Sequence, residues 1–275
     1  MKVLIIGDIY SNIGRVMVKT WITKIKKKYE NEFKIDLVIA NGENTTHGKS
    51  LNERHYHELK EAGIDVITSG NHIFAHPDVV KYIDKSPDLL RPLNYNPYHP
   101  GNGTIVVKVG TKKVRVTNII GRTFMDKADN PYYAVEQLIK TAEKNVNETS
   151  DIHIIDFHAE ATAEKLAFAW NFDGQVTCVV GTHTHVQTAD NRLLPKGTAF
   201  ISDVGMTGPF YSIIGANPKE VIYRDKKTMP AHLKPADGEG QFSAVLLTID
   251  NETNRAEKLE RIFIHPQAPD LKINQ

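Results

Sequence analysis

Cysteine is almost absent from this chain: Cys178 is the one thiol in 275 residues. A single thiol excludes an internal disulfide and a thiolate metal cage. Its place in the apolar run Cys178-Val179-Val180 reads as a small core residue and not as a nucleophile. Long apolar runs are missing too. No stretch approaches the roughly 20 residues that span a bilayer, and the mean hydropathy is -0.36. Before Gly7-Asp8 the chain offers one Lys and the aliphatic run Val3-Leu4-Ile5-Ile6, too short for the apolar region of a signal peptide. The expected compartment is therefore the cytoplasm.

An excess of one charge is also lacking. The 34 Lys and Arg nearly balance 33 Asp and Glu, for a formal net charge of +1, so no overall basic field recommends a long nucleic acid as partner. Lys24, Lys26, Lys27 and Lys28 close the first predicted helix, where cations favour the macrodipole and the solvent. Gly7-Asp8-Ile9-Tyr10-Ser11-Asn12-Ile13-Gly14 lacks the Gly-x-Gly-x-x-Gly spacing that brings backbone to a pyrophosphate, which removes a dinucleotide-binding fold. No Gly-x-Ser-x-Gly elbow occurs, which removes a serine hydrolase built on one.

What is present suits a globular chain with a substantial core: 40% hydrophobic and 24% charged residues. A chain of this length buries roughly three quarters of its unfolded surface. Strand and helix patterns alternate: strand 2–7, helix 14–30, strand 36–41, helix 52–62, strand 65–69, helix 77–84. This is the grammar of a mainly parallel sheet with right-handed crossovers. Residues 91–103 read as a loop rich in Pro, Asn, Tyr and Gly, followed by a hairpin of 104–109 and 113–120. A helix at 131–145, strand 152–155, helix 160–169, strand 176–180 and strand 198–203 come next. The Gly- and Pro-containing stretch 204–210 is expected to break regular structure, and 243–250 with 256–264 forms a closing hairpin. Without repeats or a linker, residues 1–275 read as a single domain.

Polar clusters stand where the strand runs stop: Gly7-Asp8, Asn41-Gly42-Glu43-Asn44, Gly70-Asn71-His72, Asp156-Phe157-His158 and Gly181-Thr182-His183-Thr184-His185. Loops at the carboxyl ends of parallel strands converge on one edge. Carboxylates, amide oxygens and imidazoles together form a donor set that Mn, Fe and Zn accept. His183 and His185, two apart on a segment expected to be extended, are expected to point the same way. His153 lies inside its strand and reads as structural.

In this order the clusters resemble the calcineurin-like metallophosphoesterases. The Asn-Gly-Glu-Asn variant, Asp156-Phe157-His158-Ala159-Glu160-Ala161, Gly181-Thr182-His183-Thr184-His185 and Asp203-Val204-Gly205-Met206-Thr207-Gly208-Pro209 are similar to the bacterial 2′,3′-cyclic-nucleotide phosphodiesterase subgroup. The resemblance implies an α/β fold, a calcineurin-like αββα sandwich with two mixed β-sheets flanked by helices. It also implies two divalent or mixed-valence metal ions, Fe or Mn foremost and Zn acceptable. One ion falls to Asp8, Glu43, Asn44 and His185, the other to Glu43, Asn71, His158 and His183, with Glu43 bridging. His72 takes the place of a proton donor to the leaving oxygen. Tyr10 stands where the wider superfamily has a ligand His, and Glu43 where it has Asp; Asn44 is the expected replacement for the missing imidazole.

The implied reaction is hydrolysis of 2′,3′-cyclic nucleoside monophosphates to 3′-monophosphates by attack of a metal-bridging hydroxide. His47, Lys49 and Arg122 are candidate phosphate contacts, and the expected partner is a small nucleotide or other phosphoester. No membrane is expected, and a homo-oligomer is left open. The alternative is a metal-binding regulatory protein that engages a nucleotide or RNA-processing partner through the site and residues 204–216, with weak or incidental turnover.

Overall fold

A computed structural model describes residues 1–275 apart from 33, 126, 146–147, 271–272 and 275. In chain order the elements are β1 (Lys2–Ile6), β2 (Asp8–Ile9), α1 (Ser11–Lys28), β3 (Leu37–Asn41), α2 (Glu53–Glu61) and β4 (Val66–Thr68). Two 3₁₀ turns, Pro77–Lys81 and Ile83–Lys85, lead to β5 (Thr104–Val109), β6 (Lys112–Ile120), α3 (Pro131–Lys144), β7 (Ile152–His158), α4 (Thr162–Asn171) and β8 (Cys178–Thr182). The remainder is β9 (Arg192–Leu193), β10 (Ala199–Ile201), β11 (Met206–Pro209), α5 (Pro218–Lys227), β12 (Gly240–Ile249), β13 (Ala256–Ile264) and β14 (Ile273–Asn274).

Two mixed sheets result. The first runs β14-β13-β12-β1-β3-β4, with β2 and β11 joined at its side; the second runs β5-β6-β7-β8-β10-β9. β1, β3 and β4 are parallel, as are β6, β7, β8 and β10, while β12 lies antiparallel to β1.

Alternation along each strand explains the layering. Val3, Ile5, Leu37 and Ile39 share one core with Val114, Val116, Ile152, Ile154, Cys178 and Val180 of the facing sheet. The next residues along, Leu4, Ile6, Val38 and Ala40, pack outward against Val18, Ile22 and Ile25 of α1 and Leu59 of α2. Ile119, Ile155, Phe157 and Val179 pack outward against Val135 of α3, Phe168 of α4 and Phe172, the residue that follows α4. Strands covered on both faces read as unbroken apolar runs, and the outcome is the expected αββα sandwich.

Besides the two-residue strands β2, β9 and β14, which the sequence reading did not expect, three regions differ from the sequence expectations. Residues 77–84 form two 3₁₀ turns and no α-helix: Tyr82, at φ -129, separates them, and its hydroxyl donates to Leu51 O at 2.7 Å. The stretch after Asp203 is regular and not broken, because Gly205, at φ 86, turns the chain. Met206–Thr207 then pairs with Asp8–Ile9, and Gly208–Pro209 with Gly240–Gln241. Helix α5 was unexpected; none of its residues is buried, so no apolar stripe announces it.

Candidate metal centre

The parallel strands bring the polar clusters to one edge of the sandwich. Asp8 opens β2, one residue beyond the end of β1, Glu43 and Asn44 follow β3, and Asn71 and His72 follow β4. From the second sheet, His158 is the last residue of β7, and His183 and His185 follow β8. Gly70 permits the meeting. A Cβ there would lie 2.2 Å from His158 Cδ2 and 2.3 Å from Nε2, so any larger residue displaces the imidazole.

His158 Nε2 is the focus of one group of ligand atoms. Glu43 Oε1 lies 3.1 Å away, Asn71 Oδ1 3.0 Å and His183 Nδ1 3.0 Å. Glu43, His158 and His183 together form a cluster able to hold a metal ion. The second group joins Asp8 Oδ1 to His185 Nε2 at 3.7 Å, with the Asn44 amide 3.4 Å from Asp8 Oδ1 and 3.1 Å from His185 Nε2. A backbone bond from His183 N to Asp8 Oδ2, 3.1 Å, ties the two groups. The structure thus assembles Asp8, Glu43, Asn44, Asn71, His158, His183 and His185.

Counting protons tests whether these atoms suit a cation. The Thr182 hydroxyl donates its only hydrogen to Asp156 Oδ1 at 2.7 Å, so at His158 Nδ1, 2.9 Å away, it accepts. His158 then carries its proton on Nδ1 and points a lone pair along Nε2. His183 Nε2 faces the Glu160 carboxylate at 3.1 Å, which places its proton there and leaves Nδ1 bare. His185 Nδ1 faces Ile214 O at 2.8 Å, which leaves Nε2 bare. With both rings in their neutral form, two lone pairs, a carboxylate oxygen and an amide oxygen converge around His158 Nε2, an arrangement that needs a positive charge there. Holding the outer nitrogen of a ligand His is the usual way a site fixes its tautomer.

Electrostatics agree. Burial alone would raise the Asp8 carboxyl, but its hydrogen bond and charge pairing with His185, and the charge at His158, hold it well below the usual range. Burial also opposes ionisation of Glu43, and His158 and His72 overcome it and lower its pKa. Burial lowers His158, yet the Glu43 carboxylate beside it wins and raises it to about 9, so a proton on Nε2 competes with a cation for the same place. Burial, then the neighbouring His158, lowers His183 to about 4. The pocket attracts positive charge.

Sequence reasoning missed the outer partners. Asp156, 3% exposed, also accepts from Thr68 Oγ1 and, at 3.4 Å, from Asn41 Nδ2. The signals were adjacency alone: Asp156 and Glu160 flank His158, and Thr182 precedes His183. His183 and His185 are not on an extended segment as expected. β8 stops at Thr182, and the two adopt φ 104 and 67, a conformation that brings both rings to the site at a cost in backbone strain.

His72 stands beside Glu43 and Asn44. Its backbone N donates to Glu43 Oε2 at 2.8 Å, and its Nδ1 lies 2.7 Å from Asn44 Oδ1. Burial lowers its pKa, Glu43 opposes this, and the charges of His158, Lys49 and His185 add to the lowering. The His47 ring instead lies edge-on to His55, 6.3 Å between centroids. The backbone of Arg122 donates to Glu164 Oε1 at 2.8 Å. Tyr10 packs edge-on against His185 at 5.7 Å. His153 is structural, with Nε2 2.9 Å from Thr117 Oγ1.

A family model described as YmdB-like protein matches residues 4–262. The chain is 46% identical over 265 residues to the 2′,3′-cyclic-nucleotide 2′-phosphodiesterase of Bacillus subtilis (strain 168), covering 96% of this chain and 97% of that protein. Among solved structures it is similar to a novel phosphatase from Mycoplasma pneumoniae, with TM-score 0.88 and 41% identity over 98% of this chain and 95% of that one. It is also similar to a hypothetical protein from Thermus thermophilus, with TM-score 0.88 and 38% identity over 96% and 99% of the two chains.

Proposed function

The chain belongs to the YmdB-like protein family, and from that membership we propose that it is a two-metal phosphodiesterase hydrolysing 2′,3′-cyclic nucleoside monophosphates to 3′-monophosphates. The observation that carries the reading is the convergence of Glu43 Oε1, Asn71 Oδ1 and His183 Nδ1 within 3.0–3.1 Å of His158 Nε2, all of them acceptors. The substrate follows the name of the Bacillus subtilis relative.

Asp8, Glu43, Asn44 and His185 would hold one ion, and Glu43, Asn71, His158 and His183 the other. When bound, such ions supply Lewis acidity toward the phosphate oxygens and activate water. The remaining work falls to the chain. Asn44 presents its nitrogen to Asp8 and His185, so its ligand role requires a half-turn that exchanges amide oxygen and nitrogen in place. The same half-turn offers an N–H to His72 Nδ1 and leaves the His72 proton on Nε2, the ring nitrogen with no partner among the described residues. His72 is then a donor to the departing 2′ oxygen, help typically worth 10²–10⁴ in rate for an alkoxide. The positive charge of Lys49, which acts on His72, would favour an anionic substrate.

Small substrates fit a formal net charge of +1, which gives little hold on a polyanion. Chromatography of the product tests the assignment. A 3′-monophosphate is expected; a dominant 2′-monophosphate means the substrate lies the other way round, and tight nucleotide binding without turnover supports a regulatory protein instead.

A further inference from the structure

Asp203 opens the Asp203–Pro209 stretch, and its carboxylate oxygens bond to Thr184, Lys165 and Gly205 rather than to any of the seven expected ligand side chains among the described residues. Oδ2 accepts from Thr184 N at 3.0 Å, Thr184 Oγ1 at 2.8 Å and Lys165 Nζ at 2.8 Å. Oδ1 accepts from Gly205 N at 2.8 Å. The Lys165 and Asp203 side chains are 0% and 1% exposed. An ammonium and a carboxylate lose their hydration in such a place, and the pair is a doubtful source of stability compared with apolar packing of the same volume. Its value therefore lies in what it holds.

Thr184 stands between His183 and His185, which adopt φ 104 and 67. Two such residues within three persist only when surrounding contacts over-determine them, and the Asp203 carboxylate grips both the N–H and the hydroxyl of the residue between them. Gly205, on the other oxygen, accepts at its carbonyl from Asp8 N at 3.0 Å, and Asp8 Oδ2 accepts from His183 N at 3.1 Å. These hydrogen bonds and the peptide bond between His183 and Thr184 close a ring: Asp203, Thr184, His183, Asp8, Gly205 and back to Asp203. Three expected metal ligands from both sheets are set in register by one side chain.

We infer that Asp203, its charge balanced by Lys165 of α4, is a positioning residue that fixes the spacing of Asp8, His183 and His185 around the metal centre. The inference rests on the metal-centre reading above. Lys165 extends the device to the outer helical layer, so the packing of α4 bears on the geometry of the ligand loops. Neither residue contacts a reacting atom.

The test combines Lys165→Met, Asp203→Asn, Thr184→Val and Thr184→Ser in the full chain. Phe172→Leu serves as a control, because it loosens the same outer layer without touching the ring. Mn²⁺ affinity by titration calorimetry, melting temperature, kcat and KM are measured for each. The first three variants should bind Mn²⁺ about 10–100-fold more weakly, the range found for outer partners of metal ligands. Their KM at saturating Mn²⁺ should stay near that of the unmodified chain, and excess Mn²⁺ should restore part of the rate. Thr184→Ser should recover the affinity, and Phe172→Leu should lower the melting temperature alone.

If Lys165→Met and Asp203→Asn fail to fold, Thr184→Val against Thr184→Ser decides, since it deletes one hydroxyl and leaves the buried pair intact. Unchanged Mn²⁺ affinity in the folded variants, or an equal loss of affinity in Phe172→Leu, overturns the inference. An unmodified chain that binds no Mn²⁺ overturns the metal-centre reading itself, a result distinct from an unmodified chain that binds two ions while its variants match it.

Discussion

Glu43 concentrates the residue-scale argument, because one buried carboxylate, 1% exposed, serves His158 through Oε1 and the His72 backbone through Oε2. Glu43→Gln keeps the shape and removes the charge that two cations would share; His183→Ala removes a ligand of one ion. Each should leave one bound ion or fewer per chain by elemental analysis and lower turnover by orders of magnitude, and full occupancy with undiminished turnover in either would refute the assignment. His72→Ala should keep both ions while slowing hydrolysis, and the loss should shrink on a nitrophenyl ester, whose leaving group needs little protonation. Equal losses on alkoxide and nitrophenolate substrates would show that His72 acts otherwise. The convergence of these side chains was legible in the sequence because each stands at the end of an apolar strand run. Asp156, Thr68 and Thr182 were not, since Thr68 reaches Asp156 from the other sheet and Thr182 reaches it from the neighbouring strand, and nothing in chain order announces such pairings.

At the scale of elements, the strands carried the information and the connections did not. Runs such as Val3-Leu4-Ile5-Ile6 are buried on both faces and are hard to misread, whereas β11 exists only because Gly205 at φ 86 returns the chain to Asp8–Ile9. A Cβ at Gly205 would lie 2.8 Å from Gln187 N, and its φ disfavours any other residue. Gly205→Ala should therefore cost about 1–3 kcal/mol in denaturant unfolding and weaken Mn²⁺ binding through the Asp8 register, whereas unchanged stability would show that the turn relaxes freely. The 3₁₀ turns at 77–85 and the exposed helix α5 lie where periodicity is weakest, for neither presents a continuous apolar stripe. His183 and His185 show the limit of period-based reasoning: strand alternation does bring two residues to one face, but here positive φ does so beyond the strand end.

At the scale of the whole molecule, the sandwich followed from alternation within strands that one sheet buries against the other, and no described helix is long and apolar enough to cross a membrane. The far end of the second sheet gives a stability prediction independent of the metal centre. Burial first, then the charge of Arg115, lowers the His153 pKa from 6.5 to about 3. The unfolded chain therefore takes up a proton there before the folded one does, so stability present above about pH 6.5 is lost as pH falls toward about 3. Melting temperatures across that window should fall less steeply in His153→Gln than in the unmodified chain; parallel curves would contradict the assignment.

The central claim is that turnover depends on the two-ion constellation of Asp8, Glu43, Asn44, Asn71, His158, His183 and His185. Its most direct test is stepwise addition of Mn²⁺ to chelator-stripped protein, with bound ions and hydrolysis of a 2′,3′-cyclic nucleotide read on the same samples. The account predicts no turnover in the stripped protein and full turnover as occupancy reaches two ions per chain; undiminished turnover in the metal-free protein would contradict it.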